Sequence, residues 1–339
     1  MNEPVDNYDL FRAKIVVCGV GGGGSNTIER MSRVGITGTG LVAINTDAKQ
    51  LNNMNPAINR VLIGGALTRG MGAGGFPEMG AKAADFSRGD IDRSIDGANM
   101  VFLTAGMGGG TGTGAAPVVA EIAKRGGAIV VGMVTFPFSL ERVRIQVAKK
   151  GIEELRKTVD TLIVIDNQRL VDVYPNLAIE QAFKVADEVT LRAVKGIAET
   201  INTPSLINTD FADIRSIMSN GGLAMISVGE GKGNDRVKEV VASTLRNKLL
   251  DVDYEGATGI LLHIRGGDDL TLGDANEIAA KLTAQASPNA NVIWGARIDP
   301  AYNGRVEVIA IFTGVTSPNI LSGTSGAKTN SGFSGVGDL

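Results

Sequence analysis

The chain is poor in the residues on which several common chemistries depend. It has one cysteine and one histidine among 339 residues. The single Cys18 excludes a disulfide framework and indicates a reducing compartment. The single His263 lies in a strand-like run at 260–264, where a structural role is expected. Histidine-ligated zinc sites and Ser-His-Asp hydrolysis would both depend on this one residue, so neither is expected.

Long apolar runs and basic clusters are also missing. No apolar run reaches the roughly 18 residues that a membrane-spanning helix needs, and the first residues show no signal-peptide pattern. The net charge is -3, with no cluster of lysine or arginine. Nucleic acid is therefore not an expected partner, since its binding depends on neutralising phosphates. We expect a cytoplasmic, globular chain of about two domains, without direct membrane insertion.

Glycine, in contrast, is abundant and concentrated in turns. Residues 106–117 read GMGGGTGTGAAP, between a strand-like run at 100–105 and a helix-like run that begins at 117. Such a turn leaves backbone N–H groups uncovered and directs a helix N-terminus at its occupant, which is usually phosphate. Thr111 and Thr113 would add hydroxyl donors. We interpret this run as a phosphate-binding loop.

Two further glycine-rich turns accompany it. Residues 19–26 read GVGGGGSN between strand-like 14–18 and helix-like 27–34, and residues 70–75 read GMGAGG. The first turn also fits G-x-G-x-x-G with Asp47 following, which leaves a nicotinamide dinucleotide site as an alternative. Three turns suit one polyphosphate tail better. The P-loop motif G-x-x-x-x-G-K-[ST] is absent, which excludes an ordinary P-loop NTPase.

The order of strand-like and helix-like segments predicts an α/β fold. Six strands alternate with helices up to residue 165, as in a doubly wound parallel sheet. A long helix follows at about 176–202, with an apolar stripe every four residues, and Pro204 ends it. The remaining segments predict a smaller mixed sheet, whose last two strands, 292–298 and 306–313, should form an antiparallel pair.

These segments divide the chain into five parts. We expect an N-terminal extension (1–11), a nucleotide domain (12–175), a central helix (176–204), a second α/β domain (205–316) and a flexible Gly/Ser-rich tail (317–339). A glycine- and serine-rich segment is typical of a flexible tail.

The turns together resemble the tubulin/FtsZ family, on the FtsZ branch. GGGTGTG at 108–114 is similar to the family's nucleotide signature, and NTDFAD at 208–213 is similar to the loop that completes the GTPase site of a neighbouring subunit. The resemblance covers about residues 12–315. It implies a tubulin/FtsZ-type nucleotide domain joined by the long helix to a smaller mixed domain, and GTP or GDP as ligand with Mg²⁺ or another cation at the phosphates.

The resemblance also implies which residues catalyse hydrolysis and which bind the nucleotide. Spacing alone favours Asp210 and Asp213 as caps of the helix that starts there. The resemblance instead implies that Asn208, Asp210 and Asp213 serve catalysis. Glu141 and Arg144 would reach ribose and phosphate, with Arg142 as an alternative to Arg144. The family pattern Glu-Gly-x-x-Arg is one residue shorter in this chain. The full set implied for the nucleotide is Gly21, Gly22, Gly23, Gly24, Ser25, Asn26, Asn45, Ala73, Gly74, Gly108, Gly109, Gly110, Thr111, Gly112, Thr113, Glu141, Arg144, Asn167, Phe183 and Asp187.

The resemblance implies a GTPase that assembles head to tail into filaments at the mid-cell division site, with its active site shared between subunits. A low-turnover filament protein that regulates cell shape or a companion FtsZ is the main alternative. A nicotinamide-dependent oxidoreductase is a distant one. We also expect the last residues, 330–339, to dock on a membrane adaptor. An inert tail is equally compatible with their composition.

Overall fold

The computed structural model describes residues 13–36, 38–202, 210–219, 221–246 and 254–316. The first part, up to the long helix, contains β1 (Ile15–Val20), α1 (Gly21–Val34), β2 (Thr39–Asn45), α2 (Ala48–Asn52), β3 (Asn59–Leu62), α3 (Gly65–Thr68), α4 (Pro77–Phe86), α5 (Arg88–Ile95), β4 (Met100–Gly106), α6 (Thr111–Arg125), β5 (Ile129–Phe136), α7 (Arg142–Thr158), β6 (Thr161–Asp166), α8 (Asn167–Val173) and α9 (Ile179–Asn202).

The described part after α9 contains three helices and four strands of the second domain and two short 3-10 turns. They are α10 (Phe211–Met218), β7 (Gly222–Lys232), α11 (Arg236–Leu245), β8 (Gly259–Gly266), α12 (Leu272–Thr283), β9 (Asn291–Ile298) and β10 (Arg305–Thr313). Among these elements, β7, β8, β9 and β10 are the strands. Pro204, the predicted end of the long helix, and the tail predicted from 317 onward lie outside the described residues.

The strands form one sheet in the order β3-β2-β1-β4-β5-β6-β7-β10-β8-β9. From β3 to β7 each neighbouring pair is parallel. Every residue of β1 is buried, because helices cover both faces of a parallel sheet. The predicted doubly wound sheet is confirmed. The chain order reverses between β1 and β4, which is the position where open α/β sheets bind ligands.

The predicted antiparallel pair of the last two strands is wrong. β9 pairs with β8 in parallel, and β10 lies between β7 and β8, antiparallel to both. The connection from β9 to β10 crosses the end of β8, where the Asp299 amide donates to the Gly266 carbonyl over 2.8 Å. Strands close in sequence are often neighbours, but here a parallel crossover through α12 places β8 between them.

Helix α9 joins the two halves of the sheet. Its predicted apolar stripe is confirmed: Ala193 and Ile197 are buried, and Val185, Val189 and Ile201 pack against the core. The helix begins at Ile179, three residues later than predicted. Its 24 residues give a length of roughly 36 Å.

Candidate nucleotide-binding site

The three glycine turns, in chain order the first (19–26), the second (70–75) and the third (106–117), meet at the carboxyl ends of β1, β2 and β4. A methyl group added to Gly21 would lie 2.6 Å from the Gly112 amide nitrogen, and one added to Gly110 would lie 2.9 Å from the Ala73 Cβ. Side chains have no room at these contacts. The turns therefore form a concave surface of backbone amides, which is typical of anion-binding nests.

The first and third glycine runs are the first turns of helices, not loops that precede them. Helix α1 begins at Gly21 and α6 at Thr111, so Pro117 lies inside α6 and not at its start. Glycine has a low helix propensity, but close packing requires it here. A methyl group on Gly114 would lie 1.8 Å from the Pro77 carbonyl oxygen of α4. The N-termini of α1 and α6 lie side by side, since Gly21 closely approaches Thr111 and Gly112, and their dipoles favour an anion beside them.

The threonine hydroxyls of the third turn make hydrogen bonds within the protein. Thr113 Oγ1 accepts from the Gly108 amide over 2.9 Å, and Thr111 Oγ1 lies 2.6 Å from Thr46 Oγ1. Both threonines are buried. Their expected contact with phosphate stays a prediction, while their role in fixing the turn follows from these bonds. Ser25 Oγ is buried and has no hydrogen-bond partner among the described residues.

Arg144 lies directly beside the third turn. Gly108 has a φ of 97°, and a methyl group added to it would lie 2.9 Å from the Arg144 carbonyl oxygen. Arg144 Nη1 donates to Glu141 Oε2 over 2.6 Å. Glu141 Oε1 in turn accepts from the Phe138 amide over 3.1 Å. Although Glu141 and Arg144 are one residue closer in sequence than in the family pattern, they remain paired at the start of α7.

A second part of the site is a cavity between α1, α8 and α9. It is lined by the residues predicted to contact the base, Asn167, Phe183 and Asp187, together with Gly23, Asn26, Thr27, Arg30 and Thr135. Asn167 is buried, and its Oδ1 has no hydrogen-bond partner among the described residues. A buried carbonyl oxygen of this kind suits a ligand that donates a hydrogen bond. Phe183 packs edge-to-face against Phe138, with ring centroids 5.8 Å apart.

Asp187 is held by two side chains of α1. Thr27 Oγ1 donates to Asp187 Oδ1 over 2.7 Å, and Arg30 pairs with the other carboxylate oxygen. Burial raises the pKa of Asp187, and the bonds from Thr27 and Arg30 act in the opposite direction. The two α1 residues therefore favour the ionised carboxylate, which accepts hydrogen bonds and donates none.

Sequence reasoning missed several residues of this site. Thr27 and Arg30 lie on the same face of α1 as Gly23 and Asn26, so helical periodicity contained a signal for them. Gln50 carried no such signal. Its Nε2 donates to Asn26 Oδ1 and to the Gly22 carbonyl, while its Oε1 accepts from Asn45 Nδ2 over 2.8 Å. Asn45 and Asn26 thus belong to one hydrogen-bonded network with the first turn.

Asp210 and Asp213 lie at the edge of the sheet opposite the glycine turns. They form a reciprocal cap at the start of α10, in which Asp210 Oδ1 accepts from the Asp213 amide over 2.7 Å. Both are exposed. Helix α10 packs at the amino ends of the strands, where Arg215 donates to the Gly127 carbonyl, after α6 has ended. The 15 residues of α6 separate this edge from the phosphate turns by roughly 22 Å. Asn208 lies outside the described residues.

His263 is a structural residue, as the sequence predicted. It lies on β8, where it is buried against α9, and its Nδ1 lies 2.8 Å from Thr200 Oγ1. Burial, with Arg297 and Arg265 nearby, lowers its pKa from 6.5 to about 4. His263 therefore stays neutral at physiological pH and takes no part in the nucleotide site.

Within the described ranges, the structure offers neither a metal cage of side chains nor a membrane-spanning helix. No group of three or more His, Cys, Asp or Glu side chains there forms a metal cage. No helix in those ranges is long and apolar enough to cross a membrane.

The fold and the site together define a class of protein. Amide nests at two helix N-termini, next to a buried base-sized cavity with an acceptor carboxylate, are the features of a nucleotide-binding domain that lacks a P-loop lysine. Residues 14–175 match the Tubulin/FtsZ family GTPase domain, and residues 222–316 match the FtsZ family C-terminal domain.

Individual relatives agree. The chain is 56% identical over 316 residues to "Cell division protein FtsZ 2" of Methanocaldococcus jannaschii, covering 92% of this chain and 83% of the relative. It is 52% identical over 317 residues to "Cell division protein FtsZ 2" of Haloferax volcanii, covering 93% and 79%. The solved structure "FtsZ dimer, empty" from M. jannaschii has a TM-score of 0.83 and 50% identity, over 90% of this chain and 89% of that one. The chain belongs to the tubulin/FtsZ family. It is a GTPase of the FtsZ type, which sets aside the nicotinamide alternative.

Proposed function

We propose that this chain binds GTP at the three glycine turns and hydrolyses it only when a second copy stacks on that face. The observation that carries the proposal is the separation of Asp210 and Asp213 from the turns by the length of α6. Acids at one end of a subunit and phosphate turns at the other can meet only across a head-to-tail contact. Contacts of that kind produce open filaments when they do not close into a ring.

Guanine would be selected in the cavity between α1 and α9. The ionised Asp187 would accept from the base N1–H and from its exocyclic amine, a donor pair that adenine lacks. The unpartnered Asn167 Oδ1 would accept from the same base, and Phe183 would pack against its face. The turns at Gly21–Ser25, Ala73–Gly74 and Gly108–Thr113 would hold the phosphates, with Glu141 and Arg144 at ribose and phosphate.

Asp210 and Asp213 of the neighbouring copy, with its Asn208, would orient and polarise the attacking water. The water oxygen bonds to the γ-phosphorus, the bond to the β–γ bridging oxygen breaks, and GDP and phosphate are released. Carboxylates near an anionic phosphate cannot act by electrostatic attraction, so these acids would position the water and accept its proton. A Mg²⁺ ion would suit this site without a protein cage, because Mg²⁺ is commonly held by nucleotide phosphates, water and one or two carboxylates. When bound, it would neutralise charge on the phosphates.

The surface around the turns supports self-association. Four large apolar side chains near the phosphate edge are exposed: Met71, Phe76, Leu140 and Val143. Leu140 is 82% exposed and Val143 79%. Phe76 and Arg144 contact the third turn, so these apolar groups flank the phosphates. Clustered exposed apolar groups are typical of an interaction surface. A second copy would cover them.

Filaments of this kind would serve cell division, which the names of the relatives state for those proteins. Assembly at mid-cell is part of the proposal. A membrane adaptor that binds residues 330–339, and a second FtsZ in the same cell, are proposals that rest on the resemblance and the composition of the tail. A low-turnover filament regulator is the alternative function, and activity measurements separate it from the main proposal.

The test is GTP hydrolysis per subunit against protein concentration, with sedimentation measured in parallel. A rate that rises only above a critical concentration, together with sedimenting polymer, supports a shared site. Hydrolysis independent of concentration contradicts it, and sedimentation without turnover favours the regulatory alternative. Lys232→Ala, an exposed change at the end of β7, serves as a control for handling and purification.

A further inference from the structure

Thr46 lies where the three glycine turns come together. It follows β2 directly and is fully buried. The family resemblance assigns it no role, and it is not among the residues predicted for the nucleotide. Its polar atoms are nevertheless all engaged, and each one connects to a different part of the site.

The hydroxyl and the carbonyl of Thr46 bind the third and second turns. Thr46 Oγ1 lies 2.6 Å from Thr111 Oγ1, on the first residue of α6. The Thr46 carbonyl accepts from the Gly72 amide over 3.2 Å and from Thr68 Oγ1 over 3.4 Å. One residue therefore ties the N-terminus of α6 to the loop at 70–75.

The amide of Thr46 connects to the first turn. It donates to Asn45 Oδ1 over 2.8 Å, and Asn45 Nδ2 donates to Gln50 Oε1. Gln50 Nε2 then donates to the Gly22 carbonyl over 3.1 Å. The chain of bonds from Thr46 thus reaches all three glycine turns.

We propose that Thr46 is a positioning residue for polyphosphate binding, acting through its hydrogen bond to Thr111. The proposal rests on the phosphates binding at the three turns. Backbone amides in three separate segments can converge on one anion only if the segments keep a fixed relative position, and preorganised donors bind more tightly than mobile ones. Loss of the Thr46–Thr111 bond leaves a buried hydroxyl unpartnered and frees the first turn of α6. The base cavity between α1 and α9 does not include Thr46.

The test compares Thr46→Val, which keeps the shape and removes the hydroxyl, with Thr46→Ser, which keeps the hydroxyl. Thr200→Val is the matched control, because it breaks another buried side-chain hydrogen bond, to His263, far from the turns. Kd for GTP is measured by calorimetry, thermal stability by circular dichroism, and KM and kcat by phosphate release. The competing ligand guanosine reports on the base cavity alone.

Thr46→Val is expected to raise Kd and KM for GTP about tenfold, the effect of roughly one buried hydrogen bond, and to leave kcat within about twofold. Thr46→Ser is expected to restore GTP binding, and guanosine binding is expected to stay unchanged in all variants. Thr200→Val is expected to lower the melting temperature without changing Kd. A Thr46→Val variant that is less stable but binds GTP as tightly as the wild type overturns the proposal.

Two further results keep the test decisive. Thr111→Val breaks the same bond from the other side, so it is expected to give a similar loss if Thr46→Val does not fold; unchanged affinity there also overturns the proposal. The double variant is expected to lose no more affinity than either single variant, and additive losses contradict a shared bond. A wild-type protein that does not bind GTP refutes the proposed function itself, and that failure is distinct from either result with the variants.

Discussion

Replacing Asp187 by asparagine is expected to change which purine nucleotide the chain binds. Asp187 accepts from Thr27 and pairs with Arg30 at the edge of the base cavity. The substitution keeps the side chain's size and one acceptor oxygen but replaces the other oxygen with an NH₂ donor. Guanine presents two donors at this position, so one of its contacts becomes a repulsive pair of donors. Xanthine presents one donor and one acceptor, which match asparagine.

The size of the effect follows from the bonds involved. A hydrogen bond to a charged group contributes about 1.5–3 kcal/mol, and the variant loses both a bond and the charge that strengthens the remaining one. A loss of about 3 kcal/mol corresponds to GTP binding that is weaker by a factor of about 150.

The wild type should also bind GTP in a pH-dependent way. Burial raises the pKa of Asp187, so GTP affinity is expected to fall as the pH decreases through that raised pKa. The fall should begin at a higher pH than it would for an exposed aspartate.

The assay is calorimetric titration of wild type and variant with GTP and xanthosine triphosphate, at neutral and at acidic pH. Glu188→Gln is the matched control, because this neighbouring carboxylate on α9 pairs with Arg192 outside the base cavity. We expect Asp187→Asn to prefer the xanthine nucleotide and Glu188→Gln to behave as the wild type. An Asp187→Asn variant that binds GTP within about threefold of the wild type, less than 1 kcal/mol, would refute the assignment of Asp187 to the base.

Three other predictions concern stability and assembly. Because burial lowers the pKa of His263 from 6.5 to about 4, the unfolded chain binds more protons in that interval. The free energy of unfolding should therefore fall by about 3 kcal/mol as the pH decreases from 6.5 to 4, and His263→Gln should reduce this slope in urea titrations. Gly114→Ala, whose added methyl group meets the Pro77 carbonyl oxygen at 1.8 Å, should lower stability by about 1–3 kcal/mol, measured by thermal denaturation. Leu140→Ser should reduce the sedimenting fraction without changing GTP affinity, since this side chain is exposed beside the phosphate turns.

Each of these predictions has a control and a contradicting result. The same pH slope in wild type and His263→Gln would contradict the role of that histidine. Gly89→Ala on α5 has room for a methyl group and should be neutral or stabilising, so an equal loss at both glycines would contradict the packing argument. Phe86→Ser removes an equally exposed apolar group beside Arg88, which pairs with Glu121 well along α6. Equal effects of Phe86→Ser and Leu140→Ser on sedimentation would contradict a specific contact at the turns.

The parallel half of the sheet was predictable from the sequence for a physical reason. Strands buried on both faces are continuous apolar runs, as in β1 and β4, and each is followed by a turn signal. The stripe on α9 was equally readable, because its period places the apolar residues on one face. Local patterns of this kind depend on a few neighbouring residues, so one sequence contains them.

The errors concern contacts between distant segments. Glycine disfavours helix, so nothing local indicated that α1 and α6 begin inside their glycine runs. At α6 the reason is the approach of α4, where Gly80 and Gly114 leave room for the backbone of the neighbouring helix. At α1, Gly24 allows the helix to pack against the Thr104 carbonyl oxygen of β4. The pairing of β9 with β8 likewise depends on the crossover through α12, which the short link between β9 and β10 concealed.

The candidate site divides in the same way. The glycine turns were predicted because motif and resemblance coincide in them, whereas Asp187 was predicted from the resemblance alone. Gln50 and Thr46 carry no chemical signature of their own, and their roles arise from hydrogen bonds that cross between elements. Asp210 and Asp213 show the reverse case, since their capping geometry in one chain is what spacing alone predicts. Their proposed catalytic work needs a second copy.

The central claim is that one subunit supplies the nucleotide and the next supplies the acids, and mixing two impaired variants tests it most directly. Asp210→Ala keeps the nucleotide face and removes an acid, whereas Asp187→Asn weakens GTP binding and keeps the acids. Each is expected to hydrolyse GTP slowly alone. In a mixture, the acids of one variant can act on GTP held by the other, so the rate should exceed the sum of the separate rates several-fold. A rate equal to that sum would contradict a shared site and place hydrolysis within each chain.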